Sequence, residues 1–293
     1  MGEHRIPNLI LCLLFDKFLP EFETTYLVTP CEVEPLKRLL DSYNLDPSRL
    51  EFVSDREIEA AYPDIRHWRL AGDPRPSWLA QQAIKLAMLD RCNTKHILIQ
   101  DIDSFCLGFY QPFVDHKLNF FFQHRLDQDH SSGYYEAYTN ATGLTIGHNL
   151  SFCCDILPVD RDVFEKFKQH IESHTGMPWL QALIESTPFT NEEIGMIKWF
   201  SEYETLANWH ISQTNDYMLT EQHRAEFQDP WNPGPRPRQV NFASDKDVAG
   251  GAMRVDWRRG RVQGMDEVIN WLGFDKIFDG TTGTYKLQQQ QHY

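Results

Sequence analysis

Asp101 and Asp103 stand one residue apart at the end of an apolar run, His96-Ile97-Leu98-Ile99-Gln100. Residues i and i+2 of an extended chain point the same way, so the two carboxylates face one side. Like charges that close repel unless a cation or a proton sits between them. Hard divalent ions such as Mg²⁺ or Mn²⁺ take oxygen ligands of this kind and bridge them to a substrate's phosphates. The plainer alternative is a polar loop after a core strand, because a bare D-x-D arises often by chance. Two further segments carry related groups. In Ser77-Trp78-Leu79-Ala80-Gln81-Gln82-Ala83-Ile84-Lys85-Leu86, Gln81 and Lys85 are four apart and share a helix face, with Gln82 within about a turn of both. Lys85 could meet a phosphate or pair with Asp101; the alternative is a solvated helix face. Phe200-Ser201-Glu202-Tyr203-Glu204 supplies two more carboxylates.

Periodicity predicts the elements that position these groups. Ile10, Leu14 and Phe18 recur four apart and favour a helix over Asn8–Leu19. Tyr26–Thr29 and Leu50–Val53 read as strands, with a helix over Glu32–Tyr43 between them. Trp78–Asp90 reads as a helix with Leu79, Ala83, Leu86 and Ala87 on its apolar side and Ser77 as N-cap. The aspartate strand follows at once, ending where an α/β sheet commonly binds ligands. This alternation predicts an α/β fold with a mostly parallel sheet flanked by helices. Further on, Leu118–Gln123 and Leu150–Cys154 read as strands, and Asp160–Ser173, Trp179–Ser186 and Asn191–Phe200 as helices. Four prolines and a glycine make Asp229–Arg238 an extended loop, and Met265–Leu272 reads as a last helix. The expected organisation is one domain over 1–228, a C-terminal loop and helix over 229–285 packed on it, and a disordered tail at 286–293.

Composition narrows the function classes. With 293 residues, 41% of them hydrophobic, the chain can bury a full core. No run of 18 apolar residues occurs, so no membrane span is expected. Leu9–Phe15 leads straight into Asp16 and Lys17 and does not read as a signal peptide. A net charge of −14 argues against holding nucleic acid by broad electrostatic attraction. One local basic cluster, Arg254, Arg258, Arg259 and Arg261 around Trp257, reads equally as a phosphate site or a solvated turn. The six cysteines are scattered without zinc spacing, which fits a reducing cytoplasm.

Taken in order, W-x-x-Q-Q-x-x-K-L, an apolar strand ending in D-x-D, and S-E-Y-E resemble a family of bacterial and phage glycosyltransferase-like proteins of the GT-A fold, over roughly residues 24–210. The resemblance implies a GT-A-like, Rossmann-like sheet and a metal-dependent glycosyltransferase using a nucleoside-diphosphate sugar. It implies that Asp103, with Asp101 directly or through ribose or water, holds Mn²⁺ or Mg²⁺ on the donor diphosphate. Gln81, Gln82, Lys85, Asp101 and Arg258 are the candidates for donor binding. Glu202 matches the S-E-Y-E motif as base or acceptor ligand, ahead of Glu204, Glu192 and Glu193; Asp101 is the second catalytic candidate. His148, in Gly147-His148-Asn149, is the candidate third metal ligand, with His210 and His223 as alternatives. The chain departs from the family at its start, where the usual first strand is missing or replaced by Asn8–Leu19. The expected acceptor is a glycan or lipid-linked glycan, with a hydroxylated DNA base as second choice. Two other classes compete: a non-catalytic nucleotide- or sugar-binding module, and a haloacid-dehalogenase-like phosphatase with Asp245 and Asp247 as its late acidic pair. Donor sugar, nucleotide base and stereochemistry stay open.

Overall fold

A computed structural model describes residues 22–29, 32–42, 48, 50–65, 76–101, 104–106, 110–124, 131–154, 156–187, 189–192, 195–198, 200–227, 238–243, 252–254, 278–279 and 284–285, with the backbone alone from residue 222 on. The predicted helices over 8–19 and 265–272, the loop before Arg238 and the tail lie outside these residues. The described part is mixed α/β.

Strand β1 (Thr25–Thr29) leads into helix α1 (Val33–Ser42), strand β2 (Leu50–Ser54) and helix α2 (Asp55–Ala61). β1 and β2 pair in parallel, Thr25 opposite Leu50, as the alternation predicts. Helix α3 (Pro76–Arg91) then runs into strand β3 (His96–Gln100). The helix starts two residues earlier than predicted, so Ser77 falls in its first turn; Pro76 suits the first helical position because its missing N–H has no partner there. Leu79, Ala80, Ala83, Ile84, Leu86, Ala87, Met88 and Leu89 are all buried, so the apolar surface of α3 extends well beyond one stripe. A helix apolar nearly all round belongs inside a core.

β3 pairs with strand β8 (Ile156–Asp160) in antiparallel register, His96 opposite Asp160 and Gln100 opposite Ile156. Strands β5 (Phe113–Val114), β6 (Lys117–His124) and β7 (Leu150–Ser151) join strand β11 (Tyr217–Phe227) and strand β12 (Arg238–Ala243) in a five-stranded sheet. In it β6 and β11 are parallel, and the other pairings are antiparallel. The mostly parallel sheet expected from the sequence is therefore not what the described strands form: parallel pairing is confined to β1/β2 and β6/β11.

Helices α4 (Ser131–Thr142), α5 (Arg161–Thr175), α6 (Trp179–Ser186) and α7 (Glu202–Gln213) pack around Phe120, Tyr138, Phe164, Phe167 and Trp209. Asp160 caps α5 by accepting from the N–H groups of Asp162 and Val163. The helix predicted over 191–200 is instead two short strands, β9 (Phe189–Glu192) and β10 (Gly195–Lys198), paired antiparallel with Ile197 opposite Thr190. Gly195 would weaken a helix there by about 1 kcal/mol relative to alanine, and β-branched residues favour the pleated alternative. Among the described residues, no helix is long and apolar enough to cross a membrane.

Candidate functional site

The cluster forms where three elements converge: the C-terminal end of β3, the N-terminal end of α7 and the middle of α3. Asp101 follows β3 directly. Lys85 reaches it from α3, with Nζ 2.5 Å from Asp101 Oδ1, as the sequence suggested. The same ammonium lies 2.6 Å from Glu202 Oε1 and 3.3 Å from the Tyr203 hydroxyl, above whose ring it sits at 4.7 Å. Gln82, one turn earlier on α3, is buried and faces the Glu202 carboxylate; with its amide nitrogen turned inward it donates to Oε1 at 2.7 Å.

Burial sets the electrostatics. The side chains of Lys85, Asp101 and Glu202 are 13%, 16% and 0% exposed. Burial alone would lower the Lys85 pKa, but the carboxylates of Asp101 and Glu202 outweigh it and raise it, so Lys85 stays charged. It is thus neither a free amine nucleophile nor a base. Burial pushes the Glu202 carboxyl up against the downward pull of Lys85. Two carboxylates around one ammonium leave one negative charge over, and such a cluster holds a further proton or attracts a further cation.

Helix α7 places Glu202 at its first position. Ser201 is the N-cap, extended at φ −136° and ψ 122°, and its hydroxyl accepts from the Glu204 N–H at 3.3 Å. S-E-Y-E is thus the start of a helix, a Ser-x-x-Glu capping signature, rather than a segment after one. Yet the Glu204 side chain does not turn back on the cap. Fully buried, it accepts from the Ser151 hydroxyl, from the Phe152 N–H at 3.0 Å and from the Asn208 amide at 3.2 Å. Burial pushes its pKa up to about 7, against the downward effect of these donors. Glu204 therefore ties the segment after β7 to α7.

The other sequence candidates fall in different places. Gln81 is partly buried on α3, while the described contacts to the acidic groups come from Gln82 and Lys85. Asp103, Arg258 and Glu193 lie outside the described residues, and so do Asp245 and Asp247. Glu192 and His223 are described only as backbone, in β9 and β11. His148 Nδ1 accepts from the Leu150 N–H at 3.3 Å and its ring meets Phe152 edge-on, 5.7 Å between centroids. Burial lowers its pKa. With a side-chain hydrogen bond to Asn208, these contacts tie the turn before β7 to α7. His210 is buried on α7 with Nε2 3.4 Å from the Asp216 carbonyl. Among the described residues, no three histidine, cysteine or carboxylate side chains gather as a metal site. Burial, then Glu204, raises the Cys153 thiol well above its ordinary value, so it is no thiolate nucleophile.

The backbone adds one juxtaposition. Strand β13 (Ala252–Arg254) pairs antiparallel with strand β4 (Ser104–Cys106), Arg254 opposite Ser104. The start of the arginine cluster thus lies in register beside the residue following Asp103. A cavity of about 10 Å³ between Leu118, Val159, Phe164, Trp209 and His210 holds none of the cluster's residues and is barely one water in size.

What sequence reading missed is the contact of Glu202 with Gln82 and Lys85, across more than a hundred residues, and the Glu204 network. The capping signature was the available signal for where α7 begins; no spacing rule pairs α3 with α7. No protein-family model matches the chain, and no curated protein matches it, so the functional reading rests on the site and on motif resemblance.

Proposed function

We propose that the chain is a metal-dependent glycosyltransferase that moves a sugar from a nucleoside-diphosphate donor to a hydroxyl acceptor. The observation that carries this reading is convergence. Lys85 and Asp101 come from neighbouring elements, but Glu202 lies more than a hundred residues further on, and yet both carboxylates lie within 2.6 Å of the Lys85 ammonium. A chance D-x-D has no reason to meet the distant S-E-Y-E segment.

The donor set fits a hard divalent cation. Its atoms are carboxylate oxygens, the cluster carries a surplus negative charge, and Asp101 Oδ1 is buried with no hydrogen bond beyond its ion pair to Lys85. Asp101 and Asp103 would hold Mn²⁺ or Mg²⁺; His148 is engaged elsewhere and is left out of the set. When bound, the ion would offset the charge that builds on the departing diphosphate. The chain's own part is to keep Asp101 in one orientation at the strand end. The register of Arg254 beside Ser104 supports a role for Arg254 against donor phosphates, while Arg258 stays a donor-binding candidate on its sequence alone. Gln81 stays a candidate for the donor's outer parts. Parallel pairing in two places, β1 with β2 and β6 with β11, is what supports a GT-A-like arrangement. A glycan or lipid-linked glycan is the acceptor class, and the scattered cysteines fit a reducing compartment such as the cytoplasm.

A ligand that binds only the native state raises its melting temperature. A thermal-shift screen of nucleotide sugars with and without Mn²⁺ tests the reading. At least one donor should stabilise the chain only when Mn²⁺ is present, and should be hydrolysed slowly. Stabilisation without any turnover would make the chain a binding module instead, and metal-independent binding would remove the metal from the account.

A further inference from the structure

We infer that Glu202 is a positioning residue: together with Gln82 it fixes the Lys85 ammonium, and Lys85 in turn fixes the Asp101 carboxylate. This rests on the proposed function only for what Asp101 then binds. Three observations carry it. First, Glu202 is fully enclosed, and its carboxylate meets Lys85 and Gln82. A base must come within hydrogen-bond reach of the proton it removes, and an enclosed carboxylate gives an acceptor hydroxyl no approach.

Second, the ammonium is fully used. A lysine has three N–H donors: Lys85 donates to Glu202 and to the Tyr203 hydroxyl, and its ion-pair contact with Asp101 Oδ1 at 2.5 Å occupies a third side of the ammonium. The ammonium is held among three oxygens, so it cannot turn toward a donor phosphate without leaving one of them. Lys85 therefore acts on the ligand through Asp101. Third, the backbone behind Glu202 is held. Ser201 caps the helix, and Glu202 occupies the first position, where the helix dipole favours a negative charge. The chain of restraint thus runs from the α7 N-terminus through Glu202 and Lys85 to Asp101, the member of the trio that ends a strand.

The test uses the full chain and two readouts. Double-mutant cycles of Asp101→Asn with Lys85→Met, followed by urea unfolding, give the coupling of that pair in the parent and in a Glu202→Gln background. A coupling of about tenfold in the folding constant is expected in the parent, within the range for contacting groups, falling to about twofold with Glu202→Gln. Unchanged coupling overturns the inference. Mn²⁺ alone, titrated by electron paramagnetic resonance, is the second readout: Glu202→Gln should weaken it about tenfold while Asp101→Asn weakens it more, as outer partners of ligands commonly do. Leu206→Ala, on the same helix but outside the cluster, should lower stability and leave both readouts unchanged; if it moves them equally, Glu202 is merely structural. If Glu202→Gln does not fold, Gln82→Met removes the second grip without changing charge and should lower the same coupling. A parent chain that binds no Mn²⁺ defeats the metal reading, while the mutant cycle still decides the positioning claim.

Discussion

Replacing Lys85 with methionine removes the ammonium from between Asp101 and Glu202 while keeping much of the side-chain volume. Asp101, 16% exposed, can recover some hydration, but Glu202 is 0% exposed and cannot. Removing one partner of a buried ion pair typically costs about 3–5 kcal/mol, because the other charge is left uncompensated. Here protonation sets a ceiling. A buried carboxylate without its cation takes up a proton, and holding that proton costs about 1.4 kcal/mol for every pH unit above its ordinary value. From an ordinary 4.5, the ceiling is about 3 kcal/mol at pH 7 and below about 1 kcal/mol at pH 5. The folded variant binds a proton that the unfolded chain does not, so its stability falls as pH rises. Urea unfolding of parent and Lys85→Met at pH 5, 6, 7 and 8 measures the difference. It should grow steadily with pH, and adding Glu202→Gln should flatten it. A small, pH-independent difference would refute the enclosed Lys85–Glu202 pair.

Two further outcomes are expected elsewhere in the fold. Glu204, whose pKa burial raises to about 7, binds a proton in the folded state that the unfolded chain loses above its ordinary 4.5. The stability it contributes is therefore fully present below pH 4.5 and is lost as pH rises through 7, a change on the order of 3 kcal/mol. Glu204→Gln keeps an acceptor for Ser151 and Phe152 and should remove that part of the pH dependence of the melting temperature. Gly143 ends α4 in the left-handed region at φ +70°, and an added Cβ would lie 2.8 Å from the His174 ring. Gly143→Ala should cost about 1–2 kcal/mol in urea unfolding, combining the strained conformation with a shifted imidazole.

Local pattern made much of the first half legible. The spacing of Leu79, Ala83 and Leu86 marked α3, and β-branched Ile97 and Ile99 marked β3. Their adjacency in sequence made the Lys85–Asp101 contact foreseeable. The choice between neighbours was harder: Gln81 shares a face with Lys85 four residues on, but tertiary packing turned Gln82, three residues before it, toward Glu202. β8 was hidden by Pro158, which removes a ladder donor and argues against a strand interior, although the residue stands opposite Leu98. α4 was hidden because its sequence, SSGYYEAYTNAT, offers aromatic and small residues instead of an aliphatic stripe. For 191–200, Asn191 followed by two glutamates imitated a helix start and outweighed Gly195. The mostly parallel sheet was inferred from alternation alone. Alternation does not fix direction: β8, the strand that pairs with β3, comes much later in the chain and runs the other way.

On the proposed function, the acidic end of β3 binds a nucleoside diphosphate through a divalent cation. Calorimetric titration of nucleoside diphosphates into the parent chain and Asp103→Ala, with and without Mn²⁺, tests it most directly. The parent should bind only with Mn²⁺, and the variant should show no metal-linked component. Binding of equal strength in Asp103→Ala, or in the parent without metal, would contradict it.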